Sequence, residues 1–453
     1  MTLWLAIIAV GLTLRPTLTS ISPLLPQIRE ATGMSYPVAA LLTSLPVLAM
    51  GAGAFAASGL TRRLGERRGV LLGLAALALA CGVRFVADDT VLMLATALAS
   101  GIGIAIIQAL LPGVVKGNYS AARMTAMMGI YSAALMGGGG LGAAASPWVS
   151  SLADDWRVGL GMWLVVIAAA ALAWWRAPLG GHAAISPEMT QALVARHAKV
   201  LSNAGGSGQG ARSAAAGHDT LREPSMFDLL RKPRAWTLAI YFGLINCTYT
   251  TMVAWLPPFY QQTGMSATQS GALLAGLTAC QVVAALALPW LARRNVDRRR
   301  WLTLALVATL AGLVGLVVAP EAAPWVWIGA IGFGLGGTFS LGLVLALDHH
   351  AHPRHAAALA AFMQGVGFCI AALAPFAAGA VRAVTGGFTP AWIALVGVNV
   401  ALVALTWRFD PTGYASALGM KSHCPQAPSP ARVAHARHAF DTQKSCEPLR
   451  NPR

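Results

Sequence analysis

Long apolar stretches recur along the whole chain, each interrupted by a short cluster of charged, prolyl or glycyl residues. A run of about 20 apolar residues is what a helix needs to cross hydrocarbon. Twelve such segments are predicted: 3 to 27, 37 to 60, 69 to 87, 91 to 115, 124 to 150 and 158 to 176 in the first half, and 235 to 261, 268 to 292, 301 to 319, 324 to 347, 355 to 382 and 388 to 408 in the second. Helix is the expected state because backbone amides in lipid must find partners within their own segment. The predicted fold class is therefore all-α, a polytopic membrane protein with twelve transmembrane helices. The first segment follows the N-terminus directly and has no small-residue cleavage site, so it reads as an uncleaved span.

The chain also repeats itself at one constant offset of 231 residues. Thr32-Gly33-Met34-Ser35 recurs as Thr263-Gly264-Met265-Ser266, Leu25-Pro26 as Leu256-Pro257, and Thr19 as Thr250. The basic loop Leu60 to Arg68 matches Leu291 to Arg299, and Gly101 and Gly103 match Gly332 and Gly334. An even number of spans separates the copies, so they share orientation and are related by an axis along the membrane normal. Two six-helix halves, 1 to 176 and 234 to 408, with a site between them at the midplane, is transporter architecture. Residues 177 to 233 break the pattern. Ser186-Pro187-Glu188 reads as the start of a short surface helix over 187 to 200, Asn203 to Gly217 as flexible Gly/Ala/Ser-rich linker, and Ser225 to Asp228 as a cap before the seventh span. Residues 409 to 453 form a cytoplasmic tail, and the stretch from 411 on, rich in Pro, Arg and His, is expected to be disordered.

Composition agrees. Of 453 residues, 56% are hydrophobic and 11% charged, against about 25% charged in a soluble domain. The formal charge of +16 would suggest nucleic acid only if the basic residues formed an exposed stripe. They punctuate apolar runs instead, and 27 of the 32 fall in the termini and in alternate loops, which basic residues mark as cytoplasmic. Both termini are thus expected on the cytoplasmic side of a bacterial-type inner membrane. Arg29, Arg84, Arg157 and Arg382 fall on the opposite side, which leaves Arg15 alone at mid-membrane. Cysteines at 81, 247, 280, 369, 424 and 446 have no C-x-x-C spacing, so no disulfide framework is expected. The chain contains no phosphate loop, Gly-x-Ser-x-Gly elbow or His-Glu-x-x-His, and no enzyme, cofactor or metal is expected. His349-His350-x-His352-x-x-His355 lies in a short cytoplasmic loop without thiols and is not read as a metal site.

Leu14-Arg15-Pro16-x-x-Thr19-Ser20-x-x-Pro23-Leu24-Leu25, Leu110-Leu111-Pro112-x-x-x-Lys116, Trp255-Leu256-Pro257-x-x-Tyr260 and Gln364-Gly365-Val366-Gly367 through Pro375 resemble the cyanate and 2-nitroimidazole transporter family of the major facilitator superfamily. The resemblance covers residues 3 to 408 and implies the major facilitator fold and alternating access to a central site. It also implies gating loops, placed here at Gly59, Arg62, Arg63, Gly65 and Arg67 and at Arg293, Arg294 and Asp297. Thr61 and Arg62 stand where the superfamily's Gly-x-x-x-Asp pattern is expected, and Thr13, Gln108 and Ile245 depart from the family at pore positions.

Arg15 lies about 12 residues into its helix, about 18 Å at 1.5 Å per residue, near the middle of a core about 30 Å thick. A lone arginine there costs at least about 2.5 kcal/mol, and the chain has almost no mid-span acid to pair with it. A guanidinium with fork-like donors suits a small planar anion. The repeat places Asn246 opposite Arg15; Thr19 and Thr250 follow four residues on, and Tyr249 three residues after Asn246. Gln108, Gln364 and Tyr131 complete the candidate substrate-binding set. The expected partners are a small, anionic solute and the bilayer, with no nucleic acid, and the carrier is expected to be a monomer. Efflux of nitroaromatic or other small drug-like compounds, and a membrane sensor that does not transport, stand as alternatives on sequence alone.

Overall fold

The computed structural model describes residues 2–178, 229–293, 295, 297–349 and 353–410. The features predicted over 187 to 200, 203 to 217, 225 to 228 and 411 to 453 lie outside the described residues, as do Arg294 and the side chain of Arg62. Among the described residues the fold is all-helical. The first half comprises α1 (Leu3–Leu14), α2 (Pro16–Thr19), α3 (Ile21–Thr32), α4 (Tyr36–Leu64), α5 (Glu66–Val83), α6 (Thr90–Asn118), α7 (Ala121–Ala153), α8 (Trp156–Gly161) and α9 (Trp163–Trp175). The second comprises α10 (Pro233–Gln262), α11 (Ala267–Ala292), α12 (Arg299–Val318), α13 (Pro324–Asp348), α14 (Pro353–Ala371), α15 (Leu373–Thr385) and α16 (Thr389–Thr406). Each of the twelve predicted segments coincides with a helix or a closely spaced run of helices. Among the described residues ten helices are long and apolar enough to cross a bilayer, eleven if the bent pair Leu3–Thr19 and Ile21–Thr32 is one span. The 33-residue α7 is not among them, because the glycine run 137 to 140 and its serines dilute its hydropathy. Leu79, Val91, Val165, Trp175, Val318 and Val384 are exposed on the outer wall of the bundle, the arrangement expected where the surrounding solvent is hydrocarbon.

The repeat is a repeat of contacts. Gly33 and Gly264 both take left-handed backbone, φ 69° and 97°, at the turn after the first helix of each half, where a side chain would be strained. In the second copy Ser266 and Gln269 form a reciprocal capping box that starts α11. A Cβ on Gly101 would run into Pro46 and one on Gly332 into Leu277; those two partners are themselves 231 apart. Such close backbone approach is what small residues provide between membrane helices.

The first helix is the exception to regularity, bent by 41° where α2 meets α3. Pro16 has no N–H for the Leu12 carbonyl, and that carbonyl lies against Gly138 of α7, where any side chain would collide with it. Pro23 and Pro26 remove two more donors. Arg84, expected as an outer-loop charge, is instead fully buried. It reaches into the bend, where its Nη1 donates to the Thr17 carbonyl at 2.9 Å and its Nε to Thr96 Oγ1 at 3.2 Å. A freed helix carbonyl in an apolar interior needs a donor, and a guanidinium from the end of α5 supplies it.

On the face away from the basic loops the two halves are joined. Gln261 Nε2 donates to the Pro23 carbonyl at 2.9 Å and to Ser270 Oγ at 2.8 Å. Tyr36 sits against Trp255 and Phe388, with ring centroids 6.0 and 6.2 Å away. Trp255 is anchored in turn by its indole N–H on the Pro375 carbonyl, 2.9 Å.

Candidate functional site

Arg15 occupies the single turn residue between α1 and α2, so its side chain leaves the helix where Pro16 has already disrupted the ladder. Only 8% of it is exposed. Its Nη1 donates to the phenol oxygen of Tyr249 on α10 at 2.6 Å, with the guanidinium carbon 5.0 Å from the ring centroid. Its Nε is buried and has no partner among the described residues. The ion pairs among the described residues all lie elsewhere, at Arg157, Arg298 and Arg299. Arg15 therefore carries a positive charge inside the bundle whose side-chain partner is a neutral phenol of the opposite half.

Arg15 lines a cavity with Met136, Ile245, Asn246, Tyr249, Gln281, Leu335 and Phe339. The cavity volume is about 10 Å³, room for about one water. The two positions that the repeat pairs, Arg15 and Asn246, thus meet on its walls. The Asn246 amide nitrogen donates back to the Phe242 carbonyl at 2.8 Å, which fixes the side chain's orientation. Of the other polar candidates only Tyr249 lines the cavity. Tyr131 lies within electrostatic range of Arg15, and its ring packs near Gly11. Its hydroxyl is buried without a partner among the described residues.

Thr19 and Thr250 do not line this cavity; their hydroxyls are taken by backbone. Thr19 Oγ1 donates to Gly139 O at 2.7 Å and to Arg15 O at 3.2 Å. Thr250 Oγ1 faces Asn246 O and Ala371 O, both at 3.0 Å. Each threonine thus ties the first helix of its half to the fifth, α7 in one half and the junction of α14 and α15 in the other. Gln108 and Gln364 are half-buried and lie off the cavity wall. Gln281 is not among the sequence candidates, yet it is 5% exposed on α11 and lines the cavity. The signal that could have found it is the one used for Gln108, a lone amide in an apolar span.

The family model described as Major Facilitator Superfamily matches residues 3–375. The chain belongs to the major facilitator superfamily. It is 42% identical over 410 residues to cyanate transport protein CynX of Escherichia coli (strain K12), covering 90% of this chain and 97% of that one. It is 28% identical to the 2-nitroimidazole transporter of the same organism, over 87% and 91% of the two chains. A D-xylose-proton symporter of known structure superposes with a TM-score of 0.68 at 12% identity, covering 92% of this chain and 98% of that one; this likeness shows the fold alone. Membership of the superfamily makes the protein an integral membrane transporter. The resemblance read from the four motifs is thereby established.

The expected gating positions lie in and beside the basic loops. Gly65 holds left-handed backbone, φ 67°, between α4 and α5, Gly59 lies within α4 with open space around it, and Arg63 is exposed. Arg67 Nη2 donates to the carbonyl of Ala177, just past the last helix of its half. In the second half Arg299 joins Asp297 at 2.8 Å and Asp410 at 3.2 Å, again just past the last helix. Arg298 pairs with Asp348 at 3.0 Å, while Arg293 covers the Trp290 ring at 4.9 Å. None of these ties joins one half to the other. The arginine beside it holds Asp297 below the usual carboxylate range, the side-chain hydrogen bond from Arg299 being the main cause.

Proposed function

We propose that this protein carries a small monovalent anion of the cyanate class across a bacterial-type inner membrane by alternating access. Both termini are cytoplasmic, the carrier acts as a monomer, the halves are bounded as 1 to 176 and 234 to 408, and Arg15 is the binding charge. The observation that carries this reading is the buried Arg15 guanidinium, hydrogen-bonded across the interface to a neutral phenol and facing a cavity with no carboxylate in its wall. A charge so placed is stabilised most by an anion that shares its site, because Coulomb attraction strengthens away from bulk water. The name of the 42% identical relative, a cyanate transport protein, supports the same solute class.

The walls divide the work. Met136, Ile245, Leu335 and Phe339 exclude water, while Asn246 and Gln281 offer amide donors to the ends of a short linear or planar anion. Ile245 is one of the family positions at which this sequence departs, and it makes the wall more apolar. Without solute, the Arg15 hydrogen bond rests on Tyr249 of the other half. An anion entering between the halves takes over that donor, so solute binding and the contact between halves compete for one N–H group. A cavity of about one water must widen to admit three heavy atoms, which ties binding to movement of the halves.

The test is uptake of radiolabelled cyanate into proteoliposomes. Wild-type protein is expected to accumulate label, Arg15→Gln to lose uptake, and Arg15→Lys to retain a fraction. Uptake of 2-nitroimidazole in place of cyanate by the wild type, or unchanged cyanate uptake in Arg15→Gln, would overturn the proposal.

A further inference from the structure

A second cavity, of about 340 Å³, opens between the halves on the face away from the basic loops, lined by Leu25, Pro26, Arg29, Tyr36, Pro258, Gln261, Gln262 and Met265. It holds far more space than the central site. Arg29 lies in its wall, and Arg382 of the other half meets the same Tyr36 ring and the Gln262 amide of that wall. The Arg29 guanidinium carbon lies 3.5 Å from the centroid of the Tyr36 ring and that of Arg382 4.6 Å from the same centroid. The two cations are therefore separated by no more than the sum of those distances. Neither has a carboxylate partner among the described residues, whose ion pairs all involve other arginines. Their bonds are to neutral groups: Arg29 Nε donates to the Met34 carbonyl at 3.0 Å. The Gln262 amide, with its oxygen turned inward, accepts from Arg382 Nη2 at 2.8 Å and from Nε at 3.2 Å.

This placement needs a reason. Topology assigns few basic residues to this face, and two of them share one aromatic ring with no carboxylate paired to either to offset their repulsion. The face of the Tyr36 ring offsets some of it through its quadrupole. An anion shared by the two guanidinium groups would offset the rest. We propose that the vestibule is a second site, which binds a small monovalent anion at its mouth through Arg29 and Arg382 and raises its concentration above the central cavity. Clefts lined by one sign of charge focus counter-ions in this way. Because the two arginines come from different halves, an anion here bridges them only while this face is closed, and separation of the halves releases it.

The inference rests on the central-site reading only for its choice of probe. Equilibrium dialysis of purified, full-length protein against radiolabelled cyanate, at constant ionic strength with gluconate as the bulky balancing anion, is expected to give two equivalents for the wild type. The Arg29→Gln/Arg382→Gln double variant should bind one, and Arg15→Gln should bind one. In proteoliposomes the double variant should raise the KM for uptake from the vestibule face about tenfold, leaving kcat unchanged, as expected for loss of focusing charge. A single equivalent in the wild type, kept in the double variant and lost in Arg15→Gln, would overturn the vestibule site and leave the proposed function standing. No binding to any of the three proteins overturns both. Should the double variant fail to fold, the single variants Arg29→Gln and Arg382→Gln carry the same comparison, and an unchanged KM in both overturns the proposal.

Discussion

The first helix of each half occupies the same place in the repeat, but the two are built differently. The N-terminal copy is broken into α1, α2 and α3, carries Arg15 at the break and depends on Arg84 to satisfy the Thr17 carbonyl. The C-terminal copy, α10, runs through 30 residues despite Pro257 and Pro258 and presents Asn246 instead. What they share is the staple four residues on, Thr19 to Gly139 O and Thr250 to Ala371 O. The difference teaches that duplication supplies the frame, and that one copy is bent and charged at the cavity wall while the other runs unbroken opposite it. Charge and bend come together for a physical reason. A break frees backbone carbonyls in the interior, and the polar surroundings that satisfy them also lower the cost of a guanidinium nearby.

The comparison is open to direct attack, beginning where the effect should be largest. Arg15→Gln is expected to reduce cyanate uptake by about 100-fold or more, whereas Asn246→Ala should raise KM only several-fold, because a charge-assisted contact is roughly twice as strong as a neutral one. Similar losses in the two variants would mean that the walls are equivalent. Arg84→Ala leaves a buried carbonyl unsatisfied at a cost of about 1 to 3 kcal/mol. It should lower the melting temperature of the purified protein and, by loosening the bend, reduce uptake more than Cys81→Ala does one turn away. Thr19→Val and Thr250→Val remove matching staples worth about 0.6 kcal/mol each. Their melting temperatures should fall together, and a clear inequality would show that the bent copy leans harder on its staple. The smallest effect is expected at the basic loops. Asp297 is held ionised by Arg299, so its tie is present above the usual carboxylate range and is lost as pH falls through its lowered pKa. Asp297→Asn should leave thermal stability unchanged at pH 7 within error and matter, if at all, in uptake rate.

Much of this arrangement is legible in the sequence. Hydropathy marks segments because lipid leaves helix as the one way to satisfy the backbone, and the 231-residue offset pairs Arg15 with Asn246. Rotation about each helix axis was not legible. Membrane helices packed on several sides show little amphipathic contrast, so nothing in the pattern said that Gln281 faces the cavity while Gln108 and Gln364 do not. The threonines illustrate a different limit. A hydroxyl within a helix readily bonds the carbonyl one turn back, so Thr19 and Thr250 reached backbone rather than the cavity. Arg84 was assigned by topology to an outer loop, and the rule is right about the backbone. It does not see a long side chain folding back into the bundle to reach a proline-made break.

The cavity beside Arg15 has room for about one water, and that has a consequence for the cell's energy supply. Proton leakage through a membrane protein needs an unbroken file of hydrogen-bonded waters. A cavity this small, walled in part by Met136, Ile245, Leu335 and Phe339 and overlooked by a positive charge, disfavours such a file and repels hydronium as well. The arginine proposed to draw an anion in would, by the same charge, hinder the proton gradient from draining past it.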